Sequence, residues 1–456
     1  MILPFVDLSE KKDQEYLSDG LSEELIDQLT NVPDLVVSAR TSSFYFKGKQ
    51  STIAAIARTL NVGHVLEGSV RKVGTHLRIS AQLIRADTGF RIWSETFDRN
   101  IDDIFKIQDE IAAAVVKALQ VSLLAGASSD LGGTRNLEAN DLFQKASYLY
   151  SQGAADAVSE ATRLAQRAVQ LDPQFARALA LLSRMQLFQA RHTTLSQADR
   201  HIAESEARDA ALKAVVLDPN SPDAHVALGR VFNWIDHNAD AAESEFELAL
   251  RLNPRSSDAL MQLSSVARAH SEPAKRFAFA QRALALDPLN TTVLAMSGQM
   301  SYEAGKFKEA EVLLRKLQEV SPQDQFVAQI LGSVLLMQGK PTAALAEFEH
   351  GPISSEYRLW GEALVYPALG RHSEGDEALA TVQKRSAEGA IDPLYIALIH
   401  AYRGNIDTAF EWLDRQYRAD WLELKDFLIA DDPMLNSLKS DPRFNSLRQR
   451  LGLPAV

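Results

Sequence analysis

The pattern of hydrophobic and polar positions in the first 125 residues alternates between that of strands and that of helices. In the clearest case, Leu77, Ile79, Ala81 and Leu83 alternate with polar residues, a period of two that is typical of a strand with one buried face. Strands are predicted at residues 2–8, 35–39, 64–73, 76–84 and 90–97, and helices at 18–31, 52–60 and 103–124. The order β-α-β-α-β-β-β-α predicts an α+β domain.

From residue 137 onward the pattern is helical and it repeats. A Leu-Asp-Pro motif or a variant of it recurs with its proline at positions 173, 219, 254, 288 and 322. The first interval contains about 12 extra residues, and each of the others is close to 34, the period of the tetratricopeptide repeat of two antiparallel helices. We therefore predict an all-α tetratricopeptide-repeat solenoid of about eight helix pairs, with each proline in the first turn of the following helix.

Small residues mark the helix crossings within these repeats. Gly298 permits two helices to approach closely, Gly305 lies in the turn between them, and Ala310 follows where they cross. The next repeat has the same pattern at Gly332 and Gly339. Because each repeat packs only against its neighbours, a solenoid leaves a continuous curved surface open.

Such a surface typically binds a protein or peptide partner and performs no chemistry by itself. Tryptophan, tyrosine and arginine are common anchors of such interfaces. A solvated or purely structural role is the alternative for each residue taken singly. The predicted groove residues are Arg230, Asn233, Trp234, Arg268, Gln299, Tyr302, Glu303 and Gln329.

Composition supports two folded domains and excludes several functions. The chain is 46% hydrophobic, enough to bury a large core, and a small, glycine-rich stretch predicts a linker at 126–136 between domains at 1–125 and 137–456. The formal net charge of −12 argues against direct nucleic-acid binding by this chain. No apolar run reaches the length of a membrane span, and cysteine is absent.

Motifs that carry catalysis are absent from the sequence. It has neither a glycine-rich phosphate loop nor His-Glu-x-x-His nor Gly-x-Ser-x-Gly, so we predict no catalytic residue, no metal site and no cofactor. His201 and Glu204 share a helix face but lack a matching second motif, which favours an ordinary surface pair. For an acidic cluster around one helix start, a favourable interaction with the helix dipole is the preferred interpretation and a divalent-cation site the alternative. Its members are Asp98, Asp102, Asp103, Asp109 and Glu110.

One loop, at residues 40–49, combines basic, hydroxyl and aromatic side chains. It follows a predicted strand, where Arg40, Thr41, Ser42, Lys47 and Lys49 are candidates for an anion or ligand pocket. The alternative, which we favour, is a structural crossover in which the two phenylalanines of the loop, at positions 44 and 46, pack against the sheet.

The first 125 residues resemble a bacterial domain called TolB-like or FlgO-like. The stretches that carry the resemblance are ILPFVDLS (2–9), YLSDGLSEEL (16–25), ARTSSF (39–44), YFKGK (45–49), VLEGSVR (65–71), LRISAQL (77–83) and WSETFDR (93–99). The C-terminal stretches DPMLNSLKSDPRF (432–444) and LGLP (451–454) resemble a segment that closes tetratricopeptide arrays in the same proteins.

In proteins of that kind, the two domains usually follow an output domain, often with a membrane span between. The output domain is a class III adenylate or guanylate cyclase or a CadC-type winged-helix DNA-binding domain. Neither is present here, and the chain starts inside what is usually the first strand, which suggests a fragment. The resemblance therefore implies an accessory part of a signalling protein.

Three functional hypotheses remain at this stage. The first is a non-catalytic interaction and sensory module, the second a stand-alone adaptor in cell-envelope or secretion assembly. The third is an enzyme that acts on a small phosphorylated or nucleotide ligand through the loop at 40–49. The compartment stays open: cytoplasm if the chain is complete, periplasm if its parent has an upstream membrane span.

Overall fold

The computed structural model describes residues 1–30, 32, 35–119, 133–151, 155–192, 195–270, 272–322, 324–350 and 355–455. The chain divides into two compact units. The first is Met1–Val266 together with Ala285–Pro288, and the second is Ala267–Leu284 together with Leu289–Val456. The boundaries predicted at 125 and 126 lie outside the described residues.

An α+β domain begins the first unit. Its elements in chain order are β1 (Val6–Asp7), α1 (Glu15–Thr30), α2 (Arg40–Phe44), α3 (Ile53–Leu60), β2 (His64–Val73), β3 (His76–Arg85), β4 (Arg91–Asn100) and α4 (Ile104–Ala118). The four strands form one sheet in the order β1-β2-β3-β4, with β1 parallel to β2 and the other neighbours antiparallel. The predicted fold class, an α+β domain followed by a tetratricopeptide-repeat solenoid, is confirmed.

One face of the sheet forms the core of this domain. The alternating residues of β3 are buried as predicted: Leu77, Ile79, Ala81 and Leu83 are each at most 2% exposed. They pack with apolar residues of α1 and α4 in one cluster. The opposite face of the sheet carries the polar partners of the alternation.

Two helices of the domain, α1 and α3, begin beside a side chain that accepts a backbone N–H of the first turn or of the residue before it. Helix α1 begins at Glu15, earlier than predicted, because the Asp7 carboxylate accepts the backbone N–H of Gln14 at 2.8 Å. Thr52 caps α3, because its hydroxyl oxygen accepts from the Ala55 N–H at 3.2 Å. Of the helix predicted at 103–124, residues 104–118 are helical, and 120–124 lie outside the described residues.

The strand predicted at 35–39 is wrong. These residues join none of the ladders of the described sheet, although Val37 is buried and Val36 is exposed as in a strand. The Leu35 carbonyl instead accepts a hydrogen bond from the guanidinium of Arg255, far along the chain. The Leu35 carbonyl is thus paired with an arginine side chain and not with the backbone of a strand.

Among the described residues, sixteen helices follow between Leu137 and Ala419. They are α5 (Leu137–Ser151), α6 (Ala155–Leu171), α7 (Ala176–His192), α8 (Gln197–Leu217), α9 (Pro222–Trp234), α10 (Ala239–Leu252), α11 (Ser257–Ala269), α12 (Pro273–Leu286), α13 (Thr291–Glu303), α14 (Phe307–Val320), α15 (Gln325–Met337), α16 (Pro341–His350), α17 (Ser355–Ala368), α18 (His372–Ala387), α19 (Pro393–Tyr402) and α20 (Ile406–Ala419). Three pairs of consecutive helices pack in the first unit, from α5/α6 to α9/α10, and four in the second, from α13/α14 to α19/α20. The extra residues of the first interval lengthen α7 and α8.

The motif prolines lie elsewhere than predicted. Pro288 stands two residues after the end of α12 and before α13 begins at Thr291, and Pro322 stands in the same way between α14 and α15. They therefore occupy the turn between repeats, where a missing N–H is equally harmless.

A C-terminal segment completes the second unit. It comprises α21 (Trp421–Ala430), a 3₁₀ segment (Pro433–Leu438) and α22 (Pro442–Arg450). Its apolar side chains join the core of the preceding helices, and the Ser437 hydroxyl donates to the Ala401 carbonyl at 2.7 Å. In the described part of the chain, every helix is too short or too polar to cross a lipid bilayer.

Candidate protein-binding surface

Helix α7 carries an arginine every seventh residue, at Arg177, Arg184 and Arg191. Seven residues are nearly two turns, so the three side chains lie along one side of the helix. Arg177 is in contact with the α+β domain. Its Nη1 donates to the Glu24 carboxylate at 2.8 Å and its Nη2 to the Asp27 carboxylate at 2.9 Å.

Further contacts fix α1 against α5. The Tyr148 hydroxyl donates to the Glu15 carboxylate at 3.1 Å, and the Ser147 hydroxyl donates to Glu23 at 3.3 Å. Gly20 leaves room for the flexible side chain of Gln144, since a Cβ there would lie 2.3 Å from its oxygen. The first helices of the solenoid thus bind an acidic helix of their own chain.

Beyond α1, aromatic and arginine side chains alternate across α5, α7 and α9. Four contacts join them in two groups, one around Tyr150 and one around Trp234. The Arg184 guanidinium lies 5.7 Å from the Tyr150 ring, whose centroid is 6.1 Å from that of Phe188. Arg191 and Arg230 lie 5.0 and 5.5 Å from the Trp234 ring. We call the set Tyr150, Arg184, Phe188, Arg191, Arg230 and Trp234 the arginine–aromatic patch.

The charges of this patch are only partly neutralised. Arg230 donates to Asp258 at 2.6 Å, whereas no carboxylate of the described residues forms an ion pair with Arg184 or Arg191. The buried Nε atoms of Arg184 and Arg230 have no acceptor there either. Burial opposes the charge of Arg184, but the nearby Asp258 raises its pKa and keeps it charged.

Of the predicted groove residues, three lie in the first unit. Asn233 and Trp234 are partly exposed, and Trp234 belongs to the arginine–aromatic patch. The expectation of an exposed Arg230 is wrong, because it is only 9% exposed and its guanidinium is held by Asp258. Its place beside Trp234 still makes it a part of the same surface.

The other five predicted groove residues lie in the second unit. Tyr302 is 2% exposed and its hydroxyl donates to the Asp432 carboxylate at 2.8 Å, so the prediction of an exposed Tyr302 is wrong. The Glu303 side chain is buried as well, and Arg276 donates to it at 2.6 Å. The remaining three, Arg268, Gln299 and Gln329, are partly exposed. A segment of the chain itself therefore covers part of this face.

The structure does not bring the five residues predicted for an anion pocket together. Arg40 pairs with Glu23, while Thr41 and Ser42 donate to the carboxylate of Asp287, the latter at 2.6 Å. Residues 40–44 form the short helix α2 and not a loop. Phe46 is buried and Phe44 packs against the core of the sheet, as the structural alternative expects.

Lys47 and Lys49 instead face a cleft of about 860 Å³ on the polar side of the sheet. The ammonium of Lys47 donates to Asp19 at 2.6 Å and to Glu15 at 2.7 Å. Burial works against its charge, but these hydrogen bonds raise the pKa of Lys47 above its usual value. Lys49 lies 3.1 Å from the Tyr45 ring. Three carboxylates, those of Asp7, Glu15 and Glu67, line the cleft together with three lysines, so its described lining has no excess of positive charge.

The remaining acidic and histidine candidates have separate neighbours. Asp98 on β4 accepts from Arg78 on β3 at 3.0 Å, whereas Asp109 on α4 accepts from Gln28 on α1 at 3.1 Å. His201 and Glu204 form an exposed pair at 3.3 Å, in agreement with the surface interpretation.

The arginine row of α7 was missed at the sequence level. Its signal was nevertheless present, because positions 177, 184 and 191 share a seven-residue spacing within one predicted helix. What could not be seen is that Glu24 and Asp27, about 150 residues earlier, provide the partners of Arg177.

Together these features define the class of the protein, a tetratricopeptide-repeat solenoid whose first helices hold an α+β domain. No family model matches the chain. It is 36% identical over 244 residues to "Putative adenylate cyclase 3" of Rhizobium meliloti (strain 1021). That match covers 53% of this chain and 41% of the relative, so the chain spans less than half of that protein's length.

Solved structures, among them one described as a tetratricopeptide protein, are similar to parts of the chain. TTC0263, a thermophilic protein of Thermus thermophilus, is 22% identical, with 43% of this chain and 99% of that chain covered and a TM-score of 0.37. The APC/C hetero-tetramer Cut9-Hcn1 is 14% identical, with 73% of this chain and 59% of that chain covered and a TM-score of 0.45.

Proposed function

We propose that this chain is the interaction and regulatory part of a bacterial signalling protein, in which the solenoid binds a protein partner. The observation that carries the proposal is the arginine–aromatic patch. Arginine, tryptophan and tyrosine dominate the energetic centres of protein interfaces, and here such residues form two contact groups, around Tyr150 and around Trp234, on three neighbouring helices. Two of its guanidiniums lack a carboxylate partner among the described residues, which favours a surface that receives its counter-charges from another molecule.

The link to signalling is the finer part of this proposal. Support for it comes from the relative named as an adenylate cyclase and from the resemblance of residues 1–125 to TolB-like or FlgO-like domains. On this hypothesis the α+β domain, held by Arg177, sets how the solenoid is presented to an output domain. A winged-helix regulator would use the same accessory part, and an adaptor in envelope or secretion assembly would bind its partner with no output domain at all.

Site-specific photo-crosslinking in bacteria tests the proposal. A benzoylphenylalanine at position 234 reports on the patch, and one at position 163, on the exposed side of α6, is the control. We expect position 234 to give a discrete crosslinked protein that position 163 does not give. Identical crosslinks from both positions would contradict a binding surface at the patch. Identification of a cyclase domain as the partner, with cAMP synthesis altered by the chain, would support signalling, and an envelope component would support the adaptor.

A further inference from the structure

We propose that the arginine–aromatic patch binds an acidic helical segment of the partner, with carboxylates spaced three or four residues apart. This inference rests on the proposed function and specifies the chemistry of the partner. Within the chain, the same row of arginines already binds such a pair of carboxylates.

Arg177 shows the binding mode. Two carboxylates of α1, Glu24 and Asp27, are three residues apart and therefore lie on one side of that helix. One guanidinium of α7 receives both, through different nitrogens. The planar guanidinium, with its several N–H groups, is well suited to such paired contacts.

Arg184 and Arg191 continue the row of arginines along α7, and Arg184 lines the same small pocket as Arg177, Glu23 and Asp27. Each step of seven residues advances about 10 Å along the helix axis. A partner helix beside this part of α7 would present its own carboxylates to Arg191, which is exposed, and to the more buried Arg184. Neither has an ion-pair partner among the described residues, and the Arg191 residue is exposed.

The aromatic members of the patch add an apolar surface. Trp234 has a guanidinium near its ring from each of two helices, Arg191 on α7 and Arg230 on α9. Such stacking orders the long arginine side chains before a ligand arrives, which lowers the entropy lost on binding. The acids near Arg184 are Asp258 and Asp223, and Asp258 is already paired with Arg230. The patch therefore keeps a net positive charge that complements an acidic helix.

The test uses the full chain and a fluorescent peptide with the sequence of α1, residues 15–30, as the acidic probe. Its matched control is the same peptide with Glu23, Glu24 and Asp27 replaced by their amides. We expect fluorescence anisotropy to show binding of the acidic peptide and at least about tenfold weaker binding of the amide peptide, since charge pairs at an interface contribute strongly. Equal affinities, or no binding of the acidic peptide at millimolar protein, would overturn the proposal.

Protein variants locate the binding site. Arg191→Glu reverses a charge that has no described ion pair to lose, and Arg163→Glu is the control on the exposed side of α6. We expect Arg191→Glu to weaken binding of the acidic peptide by at least about tenfold and Arg163→Glu to change its affinity less than twofold. Equal effects of both variants would overturn the assignment to the patch. If crosslinks from position 234 persist in Arg191→Glu, the surface binds a partner but not through this chemistry, which separates failure of this inference from failure of the proposed function.

Discussion

Arg177 and Glu24 are 153 residues apart in the sequence, and their charged groups lie 2.8 Å from each other in the folded chain. Both side chains are largely buried, at 20% and 18% exposure. The pair joins the first helix of the α+β domain to the second repeat of the solenoid. The solenoid surface was predicted to be open along its length, but helix α1 of the same chain covers part of it.

Replacement of Arg177 by alanine should loosen this attachment. Glu24 would be left largely buried without its counter-charge, and Asp27 would lose its partner, which should cost about 1–3 kcal/mol of the free energy of unfolding. Urea unfolding measures the loss, and hydrogen exchange of α1 should rise with it. The exposed pair of Arg163 and Glu160 provides the control, because Arg163→Ala should cost less than about 0.5 kcal/mol.

A charge-reversed pair separates the ionic contact from simple loss of packing. In the double variant Arg177→Glu with Glu24→Arg, we expect at least half of the stability lost in Arg177→Glu to return. If the double variant is no more stable than the single one, the charges do not hold α1 to α7, and packing alone must join the two helices.

The sequence was most informative where the pattern is local. The helical repeat predicted from the 34-residue spacing and the strand predicted from the alternation at Leu77–Leu83 each depend on residues close in the chain, and both are confirmed, although the prolines lie in the turns between repeats. The strand prediction for residues 35–39 failed because a run of β-branched residues looks the same in the sequence whether or not another strand lies beside it. Pairing is decided by the rest of the sheet and, here, by Arg255.

The candidate surface was harder to predict for the same reason. Tyr302 and Arg230 have the residue types of interface anchors, and nothing near them in the sequence indicates that they are buried. Their partners are Asp432, 130 residues away, and Asp258, 28 residues away on another helix. The regular spacing of Arg177, Arg184 and Arg191 was the local signal that could have been used.

The Tyr302 hydroxyl should hold the C-terminal segment in place. Tyr302→Phe keeps the buried ring and removes only the hydrogen bond to Asp432, so we expect a loss of about 1–2 kcal/mol. Hydrogen exchange should rise in residues 431–455. For comparison, the Tyr417 hydroxyl has no hydrogen bond to the described residues, and Tyr417→Phe should change stability by less than about 0.5 kcal/mol. Equal effects of the two substitutions would show that the contact to Asp432 contributes nothing.

Asp432 should also make the second unit sensitive to pH. Burial, with Glu303 and Asp431 nearby, raises its pKa to about 6, although hydrogen bonds from Met434 and Tyr302 oppose the shift. Between about pH 4 and pH 6 the folded chain therefore holds a proton that the unfolded chain releases. The stability contributed by this group is greatest below pH 4, falls as the pH rises through 6, and stays low above it.

Asp432→Asn isolates that effect, because the amide oxygen still accepts from Met434 and Tyr302. The variant should match the original protein near pH 4 and exceed it by about 1–2 kcal/mol above pH 6.5, as measured by urea unfolding at each pH. Glu303, whose pKa burial also raises, is present in both proteins and largely cancels in the comparison. A difference that stays constant from pH 4 to pH 8 would exclude the raised pKa of Asp432.

The tightest helix crossings should tolerate no added methyl group. A Cβ at Gly332 would lie 2.5 Å from the ring of Phe348, which is fully buried and is also closely approached by Gly361 on the other side. Because the ring is held between α15 and α17, Gly332→Ala should cost about 1–3 kcal/mol despite the better helix propensity of alanine. At Gly298 the new methyl would meet Leu314 at 2.9 Å, a branched aliphatic side chain that can rotate, so Gly298→Ala should cost less than Gly332→Ala.

A double-mutant cycle with Phe348→Leu tests the cause. Leucine removes the ring atoms that the new methyl would meet, so the cost of Gly332→Ala in the Phe348→Leu background should fall below about 0.5 kcal/mol. Urea unfolding of the four proteins gives the coupling energy directly. The same cost of Gly332→Ala in both backgrounds would mean that contact with Phe348 does not require glycine at this crossing, and that the glycine pattern of the repeat has another physical origin.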